Sequence, residues 1–72
     1  MKARLKDGWL VVGPYEANDM ERAYIQVGDN FASAAFLDWD GEERVAKIRP
    51  PKRPGRHMVS LNGRQLNHVT IQ

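Results

Sequence analysis

The 72-residue chain has no cysteine, so it has neither a disulfide framework nor a thiolate metal site, and an apolar core alone must hold it together. A reducing cytoplasm is the natural compartment for such a chain. Long apolar runs are missing too. The amino end carries Lys2, Arg4 and Lys6, but the nearest apolar run, Trp9 to Val12, is far too short for an export core or a bilayer span. A soluble protein without a membrane segment is expected. Asp and Glu are absent from Arg44 to Gln72, and so are Phe, Tyr and Trp. Because single-strand binders stack bases on exposed rings, that half is not expected to read RNA sequence by itself.

What the chain does have is charge sorted by sign. All nine acidic residues lie between Asp7 and Glu43, where Arg22 is the only base. The three blocks, 1–6, 7–43 and 44–72, carry +3, −8 and +7, and the formal net charge of +2 hides the pattern. A folded domain that keeps such blocks apart presents one surface to cations and another to anions. The layout predicts a bridging or occluding protein more than an enzyme.

A chain this short hides only about 60% of its unfolded surface and forms a single domain spanning 1–72. Trp9-Leu10-Val11-Val12 before Gly13-Pro14 reads as a buried strand closed by a turn. Residues 15–22 read as a loop, or as one helical turn capped by Asn18 or Asp19. Ala23–Val27 is a second strand ending at Gly28-Asp29-Asn30. In Phe31–Leu37 the alanines favour helix while the flanking turns favour a hairpin, and strand is the reading adopted. Glu43–Arg49 alternates charged and apolar side chains as a half-buried strand does.

Three prolines make 50–56 an exposed basic loop. Beyond it, 57–61 and 64–71 flank Asn62-Gly63, the strongest hairpin signal in the chain, in a register that sets Val59 opposite Leu66. The sum is a mainly β protein: a small antiparallel sheet or partly open barrel of five to six short strands, with at most one short helical turn. In such a small fold Trp9, Tyr24 and Phe36 are expected in the core.

The same hairpin register places His57 opposite His68, but two ligands are too few for a metal site and no acid follows Glu43. Asp38, Asp40, Glu42 and Glu43 surround the central turn without the spacing of an EF-hand loop, and neither Ser33 nor Ser60 sits in a nucleophile elbow. No cofactor and no catalysis is expected. The four carboxylates describe a solvated turn or, with Tyr15 and Trp39 as aromatic anchors, a face that docks on a basic partner. Lys47, Arg49, Lys52, Arg53 and Arg56 give five cations in ten residues, either a solubilising surface or a grip on phosphates.

Three functions follow: a regulator that docks its acidic and aromatic half on a nucleic-acid machine and lays its basic loop along the nucleic-acid path; a free nucleic-acid-binding β module; or an acidic mimic that plugs a nuclease or defence complex. The first uses both poles. The whole chain, from Met1-Lys2-Ala3-Arg4-Leu5-Lys6-Asp7-Gly8-Trp9 through Pro50-Pro51-Lys52-Arg53-Pro54-Gly55-Arg56, resembles the small bacteriophage regulators that bind the host's multisubunit RNA polymerase, of the type carried by a phage of xanthomonads. A monomer when free is expected, acting in the cytoplasm of the infected bacterium. The resemblance implies binding to the large β and β′ subunits near the RNA exit channel, beside nascent RNA or DNA, with displacement of σ to inhibit initiation and antitermination during elongation.

Overall fold

The computed structural model describes residues 1–16 and 22–72. The capped turn expected at Asn18 or Asp19 lies outside them. The chain is built from four β-hairpins that alternate between two sheets. β1 (Lys2–Lys6) and β2 (Trp9–Gly13) are joined by Asp7-Gly8, whose φ values of 52° and 81° suit a tight turn with the right-handed strand twist. β3 (Tyr24–Val27) and β4 (Phe31–Ala34) turn at Gly28-Asp29-Asn30. β5 (Phe36–Asp40) and β6 (Glu43–Ile48) turn at Gly41-Glu42, and β7 (Gly55–Leu61) and β8 (Arg64–Ile71) turn at Asn62-Gly63. The first sheet has the order β1-β2-β6-β5 and the second β4-β3-β7-β8. Every pairing is antiparallel.

The mainly β, antiparallel expectation is what the chain adopts, as two sheets that do not close into a barrel. The inner faces follow from period-2 alternation. Leu10, Val12, Ala46 and Ile48 from the first sheet meet Ile25, Val27, Val59, Leu61, Val69 and Ile71 from the second in one apolar cluster. Two devices join the layers. Between β4 and β5 the chain itself steps from one sheet to the other, just after Ala35 donates its N–H to the Ala23 carbonyl at 2.8 Å and so prolongs the β3–β4 ladder. At the opposite seam the Asn67 amide pairs with both backbone groups of Ala3, accepting from its N–H at 2.8 Å and donating to its carbonyl at 2.9 Å, so one side chain substitutes for a missing strand pairing between β8 and β1.

Several expectations are corrected. There are eight strands among the described residues, and β1 was assigned to none of the six read from sequence. The stretch expected as one strand over 31–37 breaks at Ala35 and resumes through Asp40. The basic loop is shorter than 50–56, because Gly55 and Arg56 pair with Ile71 and Thr70 as the start of β7. In the β7–β8 hairpin, Ser60 pairs with Gln65 but Val59 pairs with Asn67, leaving Leu66 as an extra residue that packs against the core. That bulge sets His68 opposite Met58 and His57 opposite Val69, so the histidines are not a facing pair.

The aromatics also sort differently. Tyr24 and Phe36 are 47% and 66% exposed and Trp9 is half-buried on the outer face, whereas Tyr15, expected at an interface, is 2% exposed. Tyr15 donates its N–H to the Arg44 carbonyl at 2.6 Å, which prolongs the β2–β6 ladder and turns the ring into the core with Leu10 and Val12. Its hydroxyl is buried without a hydrogen-bond partner among the described residues.

Candidate interaction surfaces

The outer face of the first sheet is where opposite charges meet. Lys6 closes one corner of this sheet and Asp40 closes the diagonally opposite one, on the two edge strands. In a twisted sheet diagonal corners curl toward the same side. Lys6 Nζ lies 2.7 Å from Asp40 Oδ1, and an Arg4 guanidinium nitrogen lies 2.7 Å from Asp40 Oδ2 and 3.3 Å from Glu43 Oε2. Alongside, Lys47 Nζ lies 2.7 Å from Asp38 Oδ2.

These pairs span a cleft whose floor is Val11 and Val45. Both are buried, at 5% and 2% exposure, yet neither belongs to the apolar cluster between the sheets. They form a separate small layer under the ion pairs. Gly13 ends this floor with no room for a side chain, since a Cβ there would stand 2.7 Å from Val45 Cγ1 and 3.0 Å from Glu43 Oε2. At the other end the Trp9 ring carries Arg49 Cζ at 3.7 Å and Lys47 Nζ at 4.4 Å from its centroid, with the Phe36 ring packed edge-to-face at a centroid separation of 6.3 Å.

The pairs leave their mark on the ionisation of these groups. Hydrogen bonds from Lys6 first, and then Arg4, hold the Asp40 carboxyl below its ordinary 3.8. The Lys47 ammonium, and then the Trp39 backbone N–H, do the same for Asp38. The Arg4 guanidinium is raised in turn, chiefly by its hydrogen bond to Asp40. Of the four carboxylates expected to form a free acidic face, three are therefore engaged within the chain, and the exposed Glu42 forms no ion pair among the described residues.

β5 is an edge strand of the first sheet, and it carries exposed apolar side chains on both of its sides. Phe36 faces outward opposite Lys47, while Leu37 lies opposite Ala46 on the core side. Phe36, Leu37 and Trp39 are 66%, 42% and 65% exposed. An edge strand presents unpaired backbone groups as well as these side chains, a combination that native proteins generally blunt unless it is used.

The five cations expected to act together are divided by the fold. Lys47 pairs with Asp38 and, together with Arg49, lies over the Trp9 ring, where Arg49 also donates to the Gly8 carbonyl at 3.2 Å. Lys52, Arg53 and Arg56 are exposed and, like Arg64, form no ion pair among the described residues. Arg53 and Arg56 meet His57, His68 and Asn30 around a recess at the end of the second sheet, beside the Gly28–Asn30 turn. His57 Nε2 lies 3.0 Å from the Arg53 carbonyl; the carbonyl can only accept, so that nitrogen bears the proton. No group of three or more His, Cys, Asp or Glu that could hold a metal occurs among the described residues, and no helix long and apolar enough to cross a membrane occurs among them.

Sequence reasoning missed Arg4 and Lys6 as partners of the central carboxylates, and Phe36 and Leu37 as exposed groups. The first was signalled by the blocks themselves, since +3 and −8 attract each other within one chain as readily as they attract other molecules. No protein-family model matches this chain, and no curated protein or solved structure is significantly similar to it.

Proposed function

We propose that the protein is a non-catalytic regulator that binds bacterial RNA polymerase, with the edge strand β5 as its docking strand. The observation that carries the docking surface is the exposure of Phe36, Leu37 and Trp39 along an unpaired sheet edge. Main-chain pairing to such an edge supplies affinity, and the aromatic and aliphatic side chains supply the anchors that dominate protein interfaces. The partner rests on the resemblance of the whole chain to small phage regulators: the large β and β′ subunits near the RNA exit channel, with σ displaced at initiation and termination suppressed during elongation. The site of action is the cytoplasm of the infected cell.

The basic loop supports a position beside nucleic acid. Loop 49–54 and the β5–β6 turn lie at opposite ends of β6, roughly 20 Å apart at the usual rise per residue, so one molecule can touch protein with one end and phosphates with the other. The ion pairs argue against the mimic reading, because Asp38, Asp40 and Glu43 already have cations.

Capture of purified polymerase by the tagged protein tests this. Trp39→Ala should lower capture about tenfold or more, as loss of an aromatic anchor does, while leaving thermal stability within about 0.5 kcal/mol because the ring is mostly exposed. Equal capture by wild type and by the double variant Phe36→Ser, Trp39→Ala would remove β5 from the interface. Failure of the wild-type protein to capture polymerase at all would remove the partner.

A further inference from the structure

The strands of the second sheet contain no carboxylate: YIQV, FASA, GRHMVSL and RQLNHVTI. The pairings fix what its outer face shows. Because Ile25, Val27, Val59, Leu61, Val69 and Ile71 point into the core, their neighbours point away from it. Arg56 opposite Thr70, Met58 opposite His68, and Ser60 beside Gln26 follow one another along this face, which ends at Tyr24 opposite Ala34. Tyr24 is 47% exposed and its cross-strand neighbour is a small residue, which leaves the ring face open. Its backbone is held in place, since the Tyr24 N–H donates to the Asn62 side chain at 2.8 Å. At the far end, Arg53 from the loop joins Arg56 and His68 around the recess, where Asp29 is the one carboxylate in the lining among the described residues.

We propose that this face binds single-stranded nucleic acid, with Arg53 and Arg56 holding phosphates and Tyr24 stacking a base. Cations that form no ion pair among the described residues, beside strands without a carboxylate, attract a polyanion by counterion release, and an exposed Tyr ring on a β platform is the element that favours unstacked bases over a duplex. The Arg56-to-Tyr24 distance along the strands, roughly 20 Å, suits a run of about four nucleotides, the short end of the site sizes known for β modules. The carboxyl-terminal half has no Phe, Tyr or Trp of its own, and the fold provides a Tyr from β3. The inference deepens the polymerase reading by giving the nucleic acid a surface on the sheet that does not contain the docking strand, and it is testable without polymerase.

The experiment is fluorescence anisotropy of the full chain with labelled single-stranded RNA and DNA of roughly ten nucleotides and with the matching duplex, at low and moderate salt. Single strands should bind more tightly than the duplex, with affinity falling as salt rises. Arg53→Glu with Arg56→Glu should weaken binding about tenfold or more, and Tyr24→Ala should weaken it about fivefold or more while Tyr24→Phe retains it. Preference for RNA over DNA or the reverse identifies the source of the strand, and either supports the proposal. No binding by wild type at low salt, equal binding of the duplex, or unchanged binding by the double Arg variant would overturn it. Trp39→Ala should leave oligonucleotide binding intact while polymerase capture falls, so failure of this inference and failure of the polymerase reading give different results.

Discussion

In the first sheet each strand carboxylate, Asp38, Asp40 and Glu43, has a cation within 3.3 Å; in the second sheet the strands have no carboxylate to pair. Both sheets contribute to one core, yet they treat charge in opposite ways. The basic amino-terminal block folds along β2 as an edge strand and reaches the acidic hairpin across the sheet, 34 to 39 residues away in sequence. Charges parted along the chain are therefore mingled on one sheet, while the strands of the second sheet carry Arg56 and Arg64 with no strand carboxylate to offset them. The expected separation of two oppositely charged surfaces is replaced by one sheet on which every strand carboxylate is paired and one whose strands carry cations alone. Exposed apolar groups sit on the edge strand β5 of the first sheet, and Arg56 and Arg64 stand without a strand carboxylate on the second.

The comparison breaks most severely if the two sheets are separate folding units. Leu10 in β2 and Ile25 in β3 are both fully buried in the shared cluster, so truncating either to Ala should cost about 2–5 kcal/mol, a large part of what a domain this small possesses. Both tryptophans are on the first sheet, in β2 and β5, whereas far-UV circular dichroism reports on both sheets. Urea unfolding of Ile25→Ala should therefore shift the fluorescence and dichroism transitions together. A fluorescence midpoint that stays put while the dichroism curve splits would show two units instead of one.

A smaller effect isolates the first sheet's outer layer. Gly13→Ala places a methyl group 2.7 Å from Val45 Cγ1, a buried side chain with little freedom to move, and overpacking of this kind should cost about 1–3 kcal/mol. The measurement is the urea midpoint at constant m-value. A neutral result would mean that the valine layer beneath the ion pairs yields easily, and the cleft would then be a loose surface and not a second packed layer.

How far the fold could be read from the chain depended on whether the cause was local. Asn62-Gly63 announces its turn because positive φ at both positions is a property of those two residues, here 49° and 84°. The alternation in Glu43–Ile48 and the apolar run at Trp9 were legible for the same reason. β1 was not: Lys2-Ala3-Arg4-Leu5-Lys6 alternates, but with cations outward and only Ala3 deeply buried, so its strand character comes from pairing with β2 and from Asn67, 64 residues away. The bulge at Leu66 is equally non-local, because it turns Leu66 to the core and Asn67 to β1. Ring burial was misread in both directions, for hydrophobic content does not say which rings find room between two sheets: Tyr15 does, and Tyr24 and Phe36 do not. Among the candidate binding residues, exposure of Lys52, Arg53, Arg56 and Trp39 was anticipated, while the engagement of Lys47, Asp38 and Asp40 with partners needed the sheet order.

The smallest effect is the one most particular to the comparison. The Asp40 carboxyl is held below its ordinary value by Lys6 and Arg4, and Asp38 by Lys47, so in the acid range the unfolded chain binds protons that the folded chain does not. Stability contributed by these pairs is present above the ordinary carboxylate range and is lost as pH falls through it toward the lowered folded values. The wild-type thermal midpoint should accordingly drop on acidification, and added salt should diminish the drop by screening half-exposed pairs. Asp40→Asn should flatten this pH dependence, and Asp38→Asn with Asp40→Asn should flatten it further. Arg56→Gln on the second sheet, where no strand carboxylate awaits a partner, should leave the slope as in wild type. Should Asp40→Asn retain the full wild-type slope, the acid sensitivity would have to arise elsewhere, and the neutralised character of the first sheet would not depend on its crossed corners.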